Sequence, residues 1–216
     1  MNRIGRALGF PGGGQEGSPR RLWIAAGAGA LLLVVVAVTA GLLWGRGSPA
    51  VGADEADTHA AAPACSSVPR QEVRELVPDA ALETSAHGPM DNADSSTCVW
   101  TSVGTEGPPR SLHVDFTAHF TDKAGDVSGA RAADRRLEQL APIGGLEGAE
   151  PVPELGEGAL VWPGTSDGTS AEVAFRRDNM LIQVFYGGDA DGGGGMGYDA
   201  ARDSAIGLAE QVAASL

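Results

Sequence analysis

Arg110-Ser111-Leu112-His113-Val114-Asp115-Phe116-Thr117-Ala118-His119-Phe120 is the stretch on which the fold turns. Leu112, Val114, Phe116, Ala118 and Phe120 alternate with polar residues throughout the run. That is the period of a strand with one face in a core and the other toward water. His113, Asp115, Thr117 and His119 therefore share the polar face, the first place to look for a ligand surface. At about 3.3 Å per residue the two histidines stand some 20 Å apart, too far to share a metal or a proton relay. His113 and Asp115 are close enough to act together. The ordinary reading of such a row is a solvated face.

Outward from this strand the pattern stays globular. Thr97–Val103 reads as a strand before it, and Val68–Val77 as a short helix with Pro69 in its first turn and Pro78 at its end. After Ser128, a helix cap, Ala130, Ala133, Leu137 and Leu140 recur at helical spacing until Pro142. A short extended piece near Ala149–Val152 follows. Gly158–Trp162, Ser170–Arg176 and Met180–Tyr186 read as strands, the last two joined by a hairpin turn at Arg177-Asp178-Asn179. A helix over Tyr198–Ser215 closes the chain, with Ala205, Leu208, Val212 and Leu216 marking its buried stripe. This order predicts an α+β domain, an antiparallel sheet with helices packed on it, over residues 65–216.

The first third of the chain is of another kind. Leu22 to Trp44 runs without a charge, and a helix of that length crosses a hydrocarbon core of about 30 Å. Trp23 and Trp44 stand at its ends, where indoles favour the headgroup level. Arg20 and Arg21 precede it, whereas Asp54, Glu55 and Asp57 follow beyond Arg46. The positive-inside bias predicts a cytoplasmic tail at 1–21, a transmembrane helix at 22–44 and a C-terminal domain outside the cell membrane. A cleavable signal peptide is the competing reading, with Val51-Gly52-Ala53 as its cleavage site; its apolar region is normally shorter, about 7–15 residues. Gly45–Ala64, rich in Gly, Ala, Pro and acids, reads as a flexible tether with a root-mean-square span of roughly 25 Å. Cys65 lies too far past the apolar run to be a typical lipidation site.

Charge and cysteine content agree with that placement. The net charge is −13; residues 1–21 carry +3, which leaves −16 for residues 22–216. So acidic a chain repels phosphate backbones and anionic headgroups, which excludes nucleic acid as a natural partner. Lys123 is the sole lysine, and the Arg, Ala and Gly bias points to a GC-rich genome. Cys65 and Cys98 are the two cysteines, and outside the membrane they have one possible pairing, a disulfide. Two free thiols or a zinc site are the weaker alternatives, since neither a CxxC spacing nor a nearby His pair is present.

Cys65, the helix ending at Val77 and Cys98-Val99-Trp100 resemble a group of actinobacterial envelope domains of unknown function, mostly secreted lipoproteins. Leu155-Gly156-Glu157-Gly158-Ala159-Leu160-Val161-Trp162 and the hairpin after it belong to the same resemblance, which covers residues 65–216. It implies a sheet domain of the Mog1/PsbP type and brings no catalytic residues. This chain departs from the group in having an apolar span where those proteins carry a lipid.

Three motifs tempt. Gly164-Thr165-Ser166-Asp167-Gly168 matches the nucleophile elbow, but a helix must follow such a serine and here a strand does. Gly192, Gly194 and Gly197 match a dinucleotide loop, yet the chain ends before the second strand that would carry the ribose-binding acid. Asp189 and Asp191 lack the bidentate glutamate of a calcium loop, with Ala200 in its place. No cofactor is therefore expected. The leading expectation is a non-enzymatic, anchored domain that binds an envelope protein or small ligand. Its rivals are an enzyme with a site built from distant residues such as His87, His113 and His119, and an accessory subunit of a membrane complex. The accessory would pair through small-residue faces at Gly27 and Ala30 or Ala37 and Gly41.

Overall fold

The computed structural model describes residues 52–102, 108–143, 148–164, 168–188 and 196–216. The tail at 1–21, the apolar span at 22–44, the first part of the tether, Asp189, Asp191, Gly192 and Gly194 lie outside the described residues. Among the described residues no helix is long and apolar enough to cross a membrane.

Seven strands form one antiparallel sheet. They are β1 (Ala81–Met90), β2 (Ala93–Thr101), β3 (Arg110–His119), β4 (Glu150–Pro151), β5 (Leu160–Pro163), β6 (Ser170–Arg177) and β7 (Met180–Gly188). Their spatial order is β1-β2-β3-β7-β6-β5-β4. Among the described residues three α-helices complete the α+β fold: α1 (Arg70–Leu76), α2 (Gly129–Ile143) and α3 (Tyr198–Ser215). One sheet face carries Cys98, Trp100, Leu112, Val114, Phe116, Val173, Phe175, Ile182 and Val184, all buried. Val73 of α1 and Val77 just after it, and Ala201, Ala205, Leu208 and Val212 of α3, close over it. Each large apolar side chain buried there contributes about 1.5–3 kcal/mol. On the opposite face α2 covers one part, setting Leu137 against Trp162, Ala174 and Leu181. Arg176 of β6 pairs with Asp134 of α2 at 3.4 Å and holds the helix there.

The local signals read in sequence mostly operate as expected. Ser128 Oγ accepts from the Arg131 N–H at 3.2 Å, the cap that starts α2. The helix runs through Pro142 to Ile143 instead of stopping before the proline. Asp178, in the left-handed region at φ 50°, makes the tight turn between β6 and β7. The disulfide joins Cys65, just ahead of α1, to Cys98 in β2 with a Cα–Cα distance of 5.5 Å. Tyr186 donates to the Leu76 carbonyl at 2.7 Å and pins the other end of α1.

Two elements differ from the sequence reading. Ala81–Met90 has no alternation of apolar residues and was assigned no element from the sequence. It forms an edge strand because a tight turn, with Asn92 at φ 52°, folds it back along β2. The expected tether is corrected in its second half: residues 52–64 are fastened to the domain. The Asn179 side chain accepts from the His59 N–H at 2.8 Å, and donates to the carbonyls of His59 at 2.9 Å and His119 at 2.7 Å. Asp57 accepts from the Thr121 N–H and hydroxyl, and Asp94 from the Ala62 N–H at 2.9 Å. Gly129 lets α2 start this close, since a methyl there would overlap the His119 carbonyl. A polar composition reads as coil, but here the polar groups are hydrogen-bond partners.

Two outcomes check these assignments. Reducing the disulfide, which closes 33 residues of separation, lowers unfolding free energy by about 3–4 kcal/mol in urea titrations. Asn179 is only 2 % exposed, so Asn179→Ala leaves the backbone groups it pairs unsatisfied and costs about 2–3 kcal/mol. Hydrogen exchange then speeds up at residues 52–62 before the rest of the domain.

Candidate functional site

β3 puts its apolar residues into the core and His113, Asp115, Thr117 and His119 on the opposite face, all half-buried. The structure then divides this row. His119 lies at the end where α2 crosses; burial, and secondarily the Arg136 charge, holds its imidazole below the ordinary pKa. Thr117 sits across from Leu181 of β7 and Ser95 of β2. His113 and Asp115 fall toward the other end of the strand. His113 stands opposite Phe185, with ring centroids 5.2 Å apart, and its Nε2 is 2.9 Å from Ser111 Oγ.

Asp115 is one member of a polar row that crosses five strands. Thr97 of β2 donates to Asp115 at 2.5 Å, and Gln183 of β7 stands directly across from Asp115. The Gln183 amide donates to Glu172 of β6 at 3.1 Å. Trp162 of β5, opposite Glu172, also hydrogen-bonds that carboxylate. Burial raises the Glu172 pKa above its ordinary 4.5; the Asp115 charge adds to the rise, and the bonds from Gln183 and Trp162 offset part of it. The face thus offers two carboxylates with an amide between them, flanked by Phe185 and His113.

Sequence reasoning found β3's contribution and missed Thr97, Glu172, Gln183, Trp162 and Phe185. The signal was available for two of them: Glu172 and Gln183 are polar positions inside strands otherwise rich in buried apolar residues. Which polar positions meet depends on register across non-consecutive strands, and that is not written in either strand alone.

The three histidines proposed as a dispersed catalytic set do not converge. His87, on the edge strand, pairs at 2.8 Å with Asp94 and lies opposite Ser96, whose next partner is the core residue Phe116. His113 is on the other face of the sheet. Among the described residues no group of three or more His, Cys, Asp or Glu could hold a metal ion. Gly164 and Gly168 flank the link between antiparallel β5 and β6, so the serine motif spans a strand-to-strand connection.

The raised Glu172 pKa has a sign that can be measured. The folded state holds this proton more tightly than the unfolded chain, so stability is lost as pH rises from about 4.5 through the raised value. Glu172→Gln carries no such proton. Its melting temperature relative to the wild type therefore climbs across that interval and levels off above it. Comparisons with family models, curated proteins and solved structures gave no match to this chain.

Proposed function

We propose that this chain is a non-enzymatic binding protein of the cell envelope. Residues 22–44 anchor it in the membrane with the N-terminus inside, and the α+β domain takes a polar ligand on its open sheet face. The observation that carries the binding role is the row Thr97–Asp115–Gln183–Glu172–Trp162 beside Phe185 and His113. Polar groups held by cross-strand hydrogen bonds at a half-buried surface are positioned in advance, and an adjacent aromatic ring gives a ligand an apolar surface to lie against. Two carboxylates favour a ligand rich in hydroxyl or amine donors, such as a sugar or amino sugar of the envelope.

The envelope placement is supported by the uncharged run at 22–44 between Arg20-Arg21 and an acidic domain. The disulfide points the same way, because such bonds persist in oxidising compartments. The resemblance of residues 65–216 to actinobacterial envelope domains agrees with that placement and carries no function with it.

A thermal-shift screen of envelope sugars, amino sugars and polyamines against the full-length chain tests the binding role. A ligand at this face raises the melting temperature of the wild type by several degrees. It leaves Asp115→Asn and Gln183→Ala, each folded, unshifted. Hits that stabilise all three proteins alike, or no hit at millimolar concentration, refute the site. Protease digestion of wall-stripped cells carrying a tag at each end tests the topology: the C-terminal tag is lost and the N-terminal tag protected.

A further inference from the structure

The strongest unassigned feature lies on the other side of the sheet from the polar row, where β1 meets α1. β1 is an edge strand with nine of its ten residues exposed, and its outer backbone N–H and C=O groups pair with no described strand. The far edge of the sheet is the two-residue β4, too short to pair with much. Natural edges are blunted by bulges, prolines and lysines. β1 has a register shift between Leu82 and Thr84 and a proline at Pro89. Between them Thr84-Ser85-Ala86-His87-Gly88 presents small side chains, His87 apart, and an open ladder. Leu82 and Met90, 49 % and 56 % exposed, are two of the large apolar side chains left outside the described core, and both lie on this strand.

At the N-terminal end of β1 a groove of about 340 Å³ opens beside the disulfide. Val73, Leu82 and Trp100 line it, and Arg70 and Arg74 stand over it one turn apart on α1. Both arginines are exposed, and among the described residues neither has an acidic partner within 4.0 Å. The groove lining holds no acid, so two guanidinium groups left unpaired over its apolar floor give it local positive charge in a chain of net charge −13.

We propose that this corner binds the C-terminal end of another polypeptide as an added strand. The peptide runs antiparallel to β1 along Thr84–Gly88, which brings its C-terminus to the Leu82 end of the strand. There its free carboxylate meets Arg70 and Arg74, and its last apolar side chain enters the groove against Trp100. Backbone hydrogen bonds supply affinity, while the carboxylate and the terminal side chain supply selection. A second copy of this chain is the poorer occupant, because two domains of the same large negative charge repel. This site is separate from the proposed sheet-face site and does not depend on it.

The test uses the full-length chain and a labelled peptide, Thr-Val-Thr-Val-Thr-Leu, as free acid and as C-terminal amide, read by fluorescence anisotropy. The acid binds at least about tenfold more tightly than the amide. Arg70→Gln with Arg74→Gln, both exposed positions whose melting curve confirms folding, brings the acid to the amide's level. Methylating the peptide's backbone nitrogens one at a time weakens binding at every second residue, the period of a ladder. Asp115→Asn leaves peptide affinity unchanged, which separates this site from the sheet face. Equal binding of acid and amide, no binding of the acid at millimolar concentration, or methylation effects without a period of two would overturn the proposal.

Discussion

The pairing of β3 with β7 is the constraint on which the rest of the domain depends. Nine residue pairs, from Arg110 with Gly188 to Ala118 with Met180, join residues 62 to 78 positions apart in the chain. The two hairpins, β1-β2 and β6-β7, can close locally, but neither has a finished core until this junction forms. Contacts of such separation cost loop entropy before burial returns it, so this junction carries the largest closure cost of any pairing in the sheet. It also fixes register, and with a period of two a slip of one residue would turn Phe116 outward and Asp115 into the core.

Once that register is set, the two faces take opposite chemical roles. The apolar face is closed by α1 and α3, with alanines at 201, 205 and 209 letting α3 lie near the strands. The other face is closed over one part by α2, and the remainder keeps carboxylates, an amide and an imidazole at half-exposure. Polar side chains are buried as well. Asp94 and Asn179, each nearly inaccessible, are satisfied by backbone groups of the segment before Cys65. Burying such groups unpaired would be costly, so their presence specifies where that segment must lie.

Where periodicity was strong the sequence was readable. Strands β3, β6 and β7, the capped α2, the final helix and the Cys65–Cys98 bond all follow from local pattern or from counting. β1 was not readable, because Glu83-Thr84-Ser85-Ala86-His87-Gly88 has no alternation and owes its strand conformation to β2 beside it. Residues 52–64 looked like coil for a similar reason: Asp57 and His59 announce polarity, and only the fold supplies Thr121 and Asn179 as partners. The candidate site was half legible. His113 and Asp115 were found as one face of one strand, whereas Glu172, Gln183 and Trp162 join them through cross-strand neighbours that the linear order conceals.

The fastening of residues 52–64 also decides how the domain would bear a mechanical load. Tension entering the chain ahead of residue 52 reaches first the ion pair of Asp54 with Lys123, then the bonds of Asp57 to Thr121, His59 to Asn179 and Ala62 to Asp94. These anchors lie at the β6-β7 turn and at neighbouring ends of β2 and β3, so the pull is shared among strands. If they yield, the chain pays out about a dozen residues and comes taut at the covalent bond between Cys65 and Cys98. The segment thus acts as a shock absorber in series with a hard stop, and the sheet behind Cys98 is loaded last.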